Sequence, residues 1–412
     1  MTNELGNKCV LITGISGFVG SRLAKSLLNQ GVEVYGLMRR RADGIALHKI
    51  KMLGIADKIH LIEGDLKIIS SIDKALSVSD ADIVFHLGGQ SFVPSSFENP
   101  LETTSSNCCG TTNLLEAIRI KDIDPVIVFA GSSEEYGLVI SSNAQYEKTM
   151  ARYGTVVPEP LKIPEVPISE TNPLRPMSPY AISKLYGDYL MRNYRHSYGF
   201  KTVVSRAFNH EGAGRGSLYV TSMITSQIIK LKLGEVDSIT IGNVNAFRDW
   251  SHVEDVINGY QLLAEKGRYG DVYNQGSMRT NSVMSYLLLS LAEAGYPVNK
   301  IKTFKGDKVV ENPIETDSSE IFGVSFEKTR IDDMMLRGEL EFSQKDGGVT
   351  AYAGSKKIKI AFDPKRFRLA EVPITLSDTE KIKNLGFKLK HTLRDVIRDQ
   401  LNYYQSGLDR SG

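Results

Sequence analysis

The sequence predicts an α/β fold, a doubly wound parallel sheet with a smaller C-terminal α/β lobe, and three observations predict it. Apolar runs and helical stretches alternate through the first two-fifths of the chain, the pattern of a parallel sheet with helices on both faces. Three glycines, Gly14, Gly17 and Gly20, lie between the first apolar run and the first helical stretch. At 412 residues, the chain exceeds one ordinary core and suits two lobes.

The continuous apolar character of Val10–Thr13 predicts a buried first strand, and helix Phe18–Asn29 follows it. Strand Glu33–Met38 comes at the distance that a strand-helix-strand unit requires. The alternation continues with strand Ile59–Glu63, helix Ile72–Ser77, strand Ile83–Leu87, helix Pro100–Lys121 and strand Val126–Ala130. From about Tyr146 to Pro176 the chain is proline-rich without sustained periodicity, which reads as a loop insertion, within about 141–176, near the mouth of a site. Helix Tyr180–His196 and strand Lys201–Phe208 resume the pattern. Further helices are expected around Met223–Leu233 and at Val253–Glu265, Val283–Ala294 and Leu393–Tyr404. The polar segment Ile321–Lys357 reads either as a strand-rich excursion or as partly disordered. Residues 1–208 are therefore expected to form a Rossmann-type nucleotide-binding domain. Residues 209–412 mainly form the second lobe, with parts of 240–275 returning to the first.

Apolar content of 41% and charged content of 24% are those of a soluble globular protein. A net charge of +2 gives no domain-wide basic excess, so neither a nucleic-acid nor a membrane-surface partner is expected. Three cysteines, two of them adjacent, cannot build a disulfide framework, and reducing cytoplasm is the expected compartment. Met1–Lys8 is polar and unlike a signal peptide, and Val283–Ala294 is too short to span a membrane. The seven histidines show no ligand spacing with Cys or acids, so no metal is implied.

The glycine motif carries the first chemical reading. A pyrophosphate can rest on free N–H groups at the start of the first helix, beside Phe18 and Val19, where the helix dipole favours an anion. Gly14 permits the tight turn, Gly17 lets backbone approach the phosphates, and Gly20 lets the helix pack on its strand. The second strand ends in Arg39, Arg40 and Arg41 with no acid. Cations suit a ribose 2′-phosphate, so NADP is favoured over NAD, although one of the three is expected to be only a solvated charge. In Gly64-Asp65-Leu66, Asp65 could accept from an adenine amino group or cap the next helix. Leu87-Gly88-Gly89-Gln90 would bring backbone to the other side of the cofactor.

Tyr180 and Lys184 stand four apart, on one face of a helix. An ammonium near a phenol lowers its pKa, which makes the tyrosine a usable acid or base. Such a pair is common by chance as exposed helical decoration, but here it follows a dinucleotide fold. Gly131-Ser132-Ser133-Glu134-Glu135-Tyr136-Gly137 directly follows a strand whose carboxyl end should face the nicotinamide. Ser132 could hydrogen-bond the reacting oxygen. Glu134 could remove a proton alpha to a transient carbonyl; alternatively both Glu134 and Glu135 are acids of a helix start.

These motifs, with Asn107-Cys108-Cys109-Gly110-Thr111, resemble the extended short-chain dehydrogenase/reductase superfamily. More narrowly, the chain resembles the GDP-mannose 4,6-dehydratase family and the related 4-keto-6-deoxymannose reductases. The similarity lies in residues 87–91, Phe208-Asn209-His210-Glu211, Arg215-Gly216, Gly242-Asn243, Arg248-Asp249-Trp250-Ser251-His252 and residues 366–372, and runs from near residue 8 to about 404.

The resemblance implies Ser132, Glu134, Tyr180 and Lys184 as catalytic. It adds Leu66, Leu87, Gly88, Gln90 and His210 to the cofactor site, and implies Ser91, Glu134, Asn209, Arg215, Arg248, Arg368 and Glu371 as substrate-binding. The arginines would hold a diphosphate and Glu371 a ribose hydroxyl; guanidinium forks suit diphosphate oxygens, while plain surface charge is the alternative for Arg215 and Arg248. Ser132 stands where the dehydratases often have threonine, Phe92 where they have histidine and Leu369 where they have proline. The implied reaction is redox-neutral 4,6-dehydration of a GDP-sugar with tightly bound NADP. The alternatives are an NADPH-dependent 4-keto-6-deoxy-sugar reductase, an epimerase, and a non-catalytic NADP-sensing regulator. Helices Pro100–Lys121 and Tyr180–His196 resemble those that pair subunits in this superfamily, which implies a homodimer or homotetramer.

Overall fold

The computed structural model describes residues 5–39, 47–367 and 371–407. Strands β1 (Cys9–Thr13), β2 (Glu33–Met38), β3 (His60–Glu63), β4 (Ile83–His86), β5 (Val126–Ala130) and β6 (Lys201–Ala207) lie in one parallel sheet with strand Asp271–Gln275. The spatial order is Asp271–Gln275, β6, β5, β4, β1, β2, β3. The winding direction reverses between β1 and β4, which pair with Val10 opposite Ile83 and Ile12 opposite Phe85. Ligands of such sheets bind outside the strand carboxyl ends at this switch point.

Alternation along β1 builds the two cores. Val10 and Ile12 pack with Leu23 and Leu27 of helix α1 (Phe18–Leu28) and with Val256 and Leu263 of helix Val253–Lys266. Leu11 faces the other layer, among Ile72, Leu76, Leu114 and Ile118. Because helix Val253–Lys266 and strand Asp271–Gln275 complete the first layer set, residues 253–275 pack with the N-terminal half.

Three segments differ from the sequence reading or refine it. The insertion contains a helix, Asn143–Tyr153, capped by Ser142 and ended by Gly154 at φ 75°. The loop reading failed here because only Thr149 of that helix is buried, so there is no apolar stripe to detect. Helix Pro100–Lys121 passes through a π-helical stretch at Thr104–Cys109, a distortion frequent at functional sites. Segment Ile321–Lys357 is ordered and strand-rich, with a helix at Arg330–Leu336. Strands Gly348–Ala353 and Lys356–Phe362 join a five-stranded sheet of the second lobe, where Ile358 and Ile360 point into a core and Lys357 and Lys359 into solvent. Among the described residues no helix is long and apolar enough to cross a membrane.

Candidate active site

Two clefts open at the switch point and meet at Tyr180. The first, of about 520 Å³, is lined by every sequence-predicted cofactor residue that the structure describes: Gly14, Gly17, Phe18, Val19, Gly20, Arg39, Asp65, Leu66, Leu87, Gly88, Gln90, Tyr180, Lys184 and His210. Arg40 and Arg41 lie outside the described residues. The glycines are built for close backbone approach. Gly14 has φ +74°, and a Cβ there would stand 2.8 Å from Gly88 Cα; a Cβ at Gly20 would stand 2.9 Å from Ile15 Cα. The open N-terminal turn and the small residues fit a dinucleotide pyrophosphate.

A buried network fixes the opposite wall. Thr111 Oγ1 donates to the Asn107 carbonyl at 2.6 Å, so His86 Nε2–H donates to Thr111 Oγ1 at 3.0 Å. His86 Nδ1 then accepts from Thr13 Oγ1 at 2.8 Å, and the same hydroxyl accepts the Gly88 N–H at 3.0 Å. Burial pushes the His86 imidazole down to about 3, so it stays neutral. Asp65 lines the cleft but does not cap the next helix: it accepts the Lys67 N–H at 2.9 Å, and helix Ile69–Ser79 begins without a side-chain cap.

The second cleft, of about 730 Å³, brings together Ser91, Ser132, Glu134, Tyr180, Asn209, Arg215, Arg248 and Glu371. Arg368 and Leu369 lie outside the described residues. Ser132 follows β5 and caps a short 3₁₀ turn, Ser133–Glu135, accepting the Glu134 N–H at 3.2 Å. Glu135 completes the capping box by accepting the Ser132 N–H at 2.8 Å, and its other oxygen faces Arg206 Nε at 3.2 Å. The two adjacent acids therefore separate. Glu135 is fully buried in a network with Arg206 and Asp188, while Glu134 lines the cleft beside Ser132 and Tyr180.

Helix Pro179–Tyr198 supplies the tyrosine and lysine, starting from Ser178, whose hydroxyl accepts the Ala181 N–H at 3.1 Å. Burial raises the Tyr180 phenol well above its ordinary value, and a hydrogen bond with Ser132 opposes that rise. This corrects the expectation that Lys184 lowers the phenol. The Lys184 ammonium stands 6.0 Å from the Tyr180 ring centre and donates to the Ala130 carbonyl at 2.7 Å. Burial lowers Lys184 itself to about 8.

His210 and Arg215 line both clefts. His210 Nδ1 donates to the Phe208 carbonyl at 2.9 Å, and burial with nearby Arg215 pushes the ring down to about 4. Arg248 and Glu371, read from sequence as separate ligand contacts, bond to each other at 2.5 Å. Sequence reasoning missed Tyr219. Its hydroxyl meets Ser91 Oγ at 3.1 Å, its ring carries the Arg215 guanidinium at 3.6 Å, and Phe92 packs edge-on against it. No local motif marks Tyr219. Asn107, within a quoted motif but given no role, donates to the Gln90 carbonyl and to Ser183 Oγ.

Ser132, Tyr180 and Lys184, set where a glycine-cradled cleft meets a polar second cleft, define a class of protein. Residues 10–276 match the model of the NAD dependent epimerase/dehydratase family, and the chain belongs to that family. Within it, the chain is similar along nearly its whole length to GDP-mannose 4,6-dehydratases. That of Yersinia enterocolitica is 30% identical over 403 residues, covering 96% of this chain and 93% of the relative. GDP-mannose 4,6 dehydratase 2 of Caenorhabditis elegans is 31% identical over 404 residues, covering 96% and 88%. Among solved structures, RMD from Pseudomonas aeruginosa complexed with NADPH superposes with a TM-score of 0.66 at 22% identity, covering 97% of this chain and 100% of that one. dTDP-glucose 4,6-dehydratase from Bacillus anthracis in complex with NAD gives 0.66 at 17%, covering 96% of each. At those identities the solved structures share the fold. The resemblance read from the sequence motifs is borne out for the family and for the doubly wound fold.

Proposed function

We propose that this protein is a nucleotide-sugar 4,6-dehydratase that converts GDP-mannose to GDP-4-keto-6-deoxymannose and keeps NADP bound through the cycle. The observation that carries this reading is the separation of the two acids: Glu135 is held in a buried ion network, and Glu134 lines the cleft with Ser132 and Tyr180. A hydroxyl and a phenol are enough for oxidation or reduction. The added carboxylate supplies the base that elimination needs.

Gly14, Gly17 and Gly20 would hold the dinucleotide, with Arg39 at the end of β2 facing an adenosine 2′-phosphate. A nicotinamide held there would supply the hydride acceptor for C4 of the sugar and the hydride donor for C6. Tyr180 accepts the C4 hydroxyl proton, and Ser132, already bonded to the phenol, shares that oxygen. Burial holds the Tyr180 phenol protonated in the free protein, and the Lys184 ammonium, 6.0 Å from its ring centre and fixed on the Ala130 carbonyl, would offset part of that penalty on the phenolate that must take the C4 proton. The C4 carbonyl acidifies the C5 hydrogen, Glu134 removes it, and the same carboxyl protonates the departing C6 hydroxyl; as hydride returns to C6, a solvent-derived proton is delivered to C5. Arg215 and Arg248 would grip the diphosphate and Glu371 a ribose hydroxyl. Leu101, Ile182 and Tyr189 expose large apolar side chains on the two helices assigned to subunit pairing, which supports a homodimer or homotetramer.

Replacing Glu134 by glutamine tests the reading. The variant should bind NADP as the wild type does and lose water elimination; full turnover in Glu134→Gln would refute the assignment.

A further inference from the structure

Four cationic side chains line the cofactor cleft: Arg39, Lys49, Lys184 and Arg215. Three have partners. Arg39 faces Glu102 at 3.7 Å, Lys184 donates to Ala130, and Arg215 Nε lies 3.4 Å from Glu211. Lys49, on the short helix His48–Met52, is different, because no hydrogen bond or ion pair among the described residues holds its ammonium. The forces acting on it are burial and the two guanidiniums of Arg22 and Arg215, and all three disfavour its charge.

Lys49 lines this cleft together with Gly17, Phe18 and Arg215. Arg22 is buried, donates to the Phe18 carbonyl at 3.4 Å and lies 4.6 Å over the Phe18 ring; Arg215 lies 5.2 Å from the same ring. Phe18 opens α1, whose first turn presents free N–H groups. A half-buried ammonium beside two guanidiniums and a helix N-terminus is unfavourable by itself. An anion on the same wall would attract all of these positive charges and so offset their mutual repulsion.

We propose that Lys49 is a phosphate-binding residue of the dinucleotide site, contacting either the pyrophosphate or an adenosine 2′-phosphate. This rests on the reading of the cleft as a dinucleotide site. It also adds to Arg39, which already faces Glu102, a lysine that no sequence motif marks.

Equilibrium titration with NADPH and with NADH, followed by nicotinamide fluorescence, tests it on the wild type, Lys49→Gln, Lys49→Arg and, as a control, Lys51→Gln on the exposed side of the same helix. Circular dichroism and urea midpoints check that each variant folds. Loss of one charge-assisted contact predicts binding weakened about 10- to 100-fold in Lys49→Gln, largely recovered in Lys49→Arg and unchanged in Lys51→Gln. Weakening for NADPH alone assigns the 2′-phosphate; weakening for both dinucleotides assigns the pyrophosphate. Unaltered binding by Lys49→Gln overturns this assignment alone. A wild type that binds neither dinucleotide overturns the reading of the cleft and this assignment together.

Discussion

Replacing Arg206 by methionine probes the network on which the placement of the cleft-lining turn Ser132–Glu135 depends. Arg206 is 2% exposed, and its Nε faces Glu135 at 3.2 Å and Asp188 at 2.8 Å, while Nη1 reaches the Tyr136 hydroxyl at 3.1 Å. Methionine keeps most of the buried stem and removes every one of those donors. Among the described residues, Glu135 then retains the Ser132 N–H and its contact with Asp188, and Asp188 keeps Arg192 on one oxygen at 2.7 Å. Removing one member of a buried ion network costs about 3–5 kcal/mol. Burial and Asp188 already raise the Glu135 carboxyl well above its ordinary range, so uptake of a proton relieves part of the strain and the low end, about 3 kcal/mol, is expected. Urea unfolding at pH 7 reads this directly. Glu134→Gln, which touches only the cleft, should stay within about 0.5 kcal/mol of the wild type. A loss under about 1 kcal/mol in Arg206→Met, or over about 2 kcal/mol in Glu134→Gln, would refute the division of labour between the two acids.

Lys184, lowered to about 8 by burial, carries its charge below that pH and loses it above, so turnover should fall on an alkaline limb near pH 8. Lys184→Arg should move that limb upward and Lys184→Met should lower kcat about 100-fold or more; an identical limb in Lys184→Arg would contradict the assignment. His86 is neutral in the fold because its folded value, about 3, lies below its ordinary 6.5. Its contribution is therefore complete above pH 6.5 and drains as pH falls, by about 1.4 kcal/mol per unit. Between pH 6.5 and 5 the wild type should lose about 2 kcal/mol more than His86→Asn in urea unfolding, and parallel curves would rule the linkage out.

The parts of the site that were legible in the sequence are those whose chemistry is written locally. The glycines at 14, 17 and 20 needed only their spacing to predict a close-approach turn, and Tyr180 with Lys184 needed only a helical repeat. The choice between Glu134 and Glu135 was not legible, because it depends on Arg206, 71 residues further on, claiming one of them. Arg248 and Glu371 meet across 123 residues and looked like independent ligands for the same reason. Burial explains the error over Tyr180: spacing predicts a nearby ammonium, but desolvation of the phenol and the Ala130 carbonyl on Lys184 become visible only in three dimensions. Lys49 and Tyr219 lie in segments with no motif, and each gains meaning only from the arginines folded against it. Helix Asn143–Tyr153 escaped detection because capping by Ser142 and Gly154, rather than an apolar stripe, marks its ends.

The measurement that bears most directly on the central claim is proton NMR of the purified protein with GDP-mannose in deuterated water and no added cofactor. A sugar C6 methyl signal with solvent deuterium at C5, and no net change in NADPH, is the predicted result. No reaction with GDP-mannose, followed by NADPH consumption when a 4-keto-6-deoxy sugar nucleotide is supplied, would contradict dehydration and make the protein a reductase.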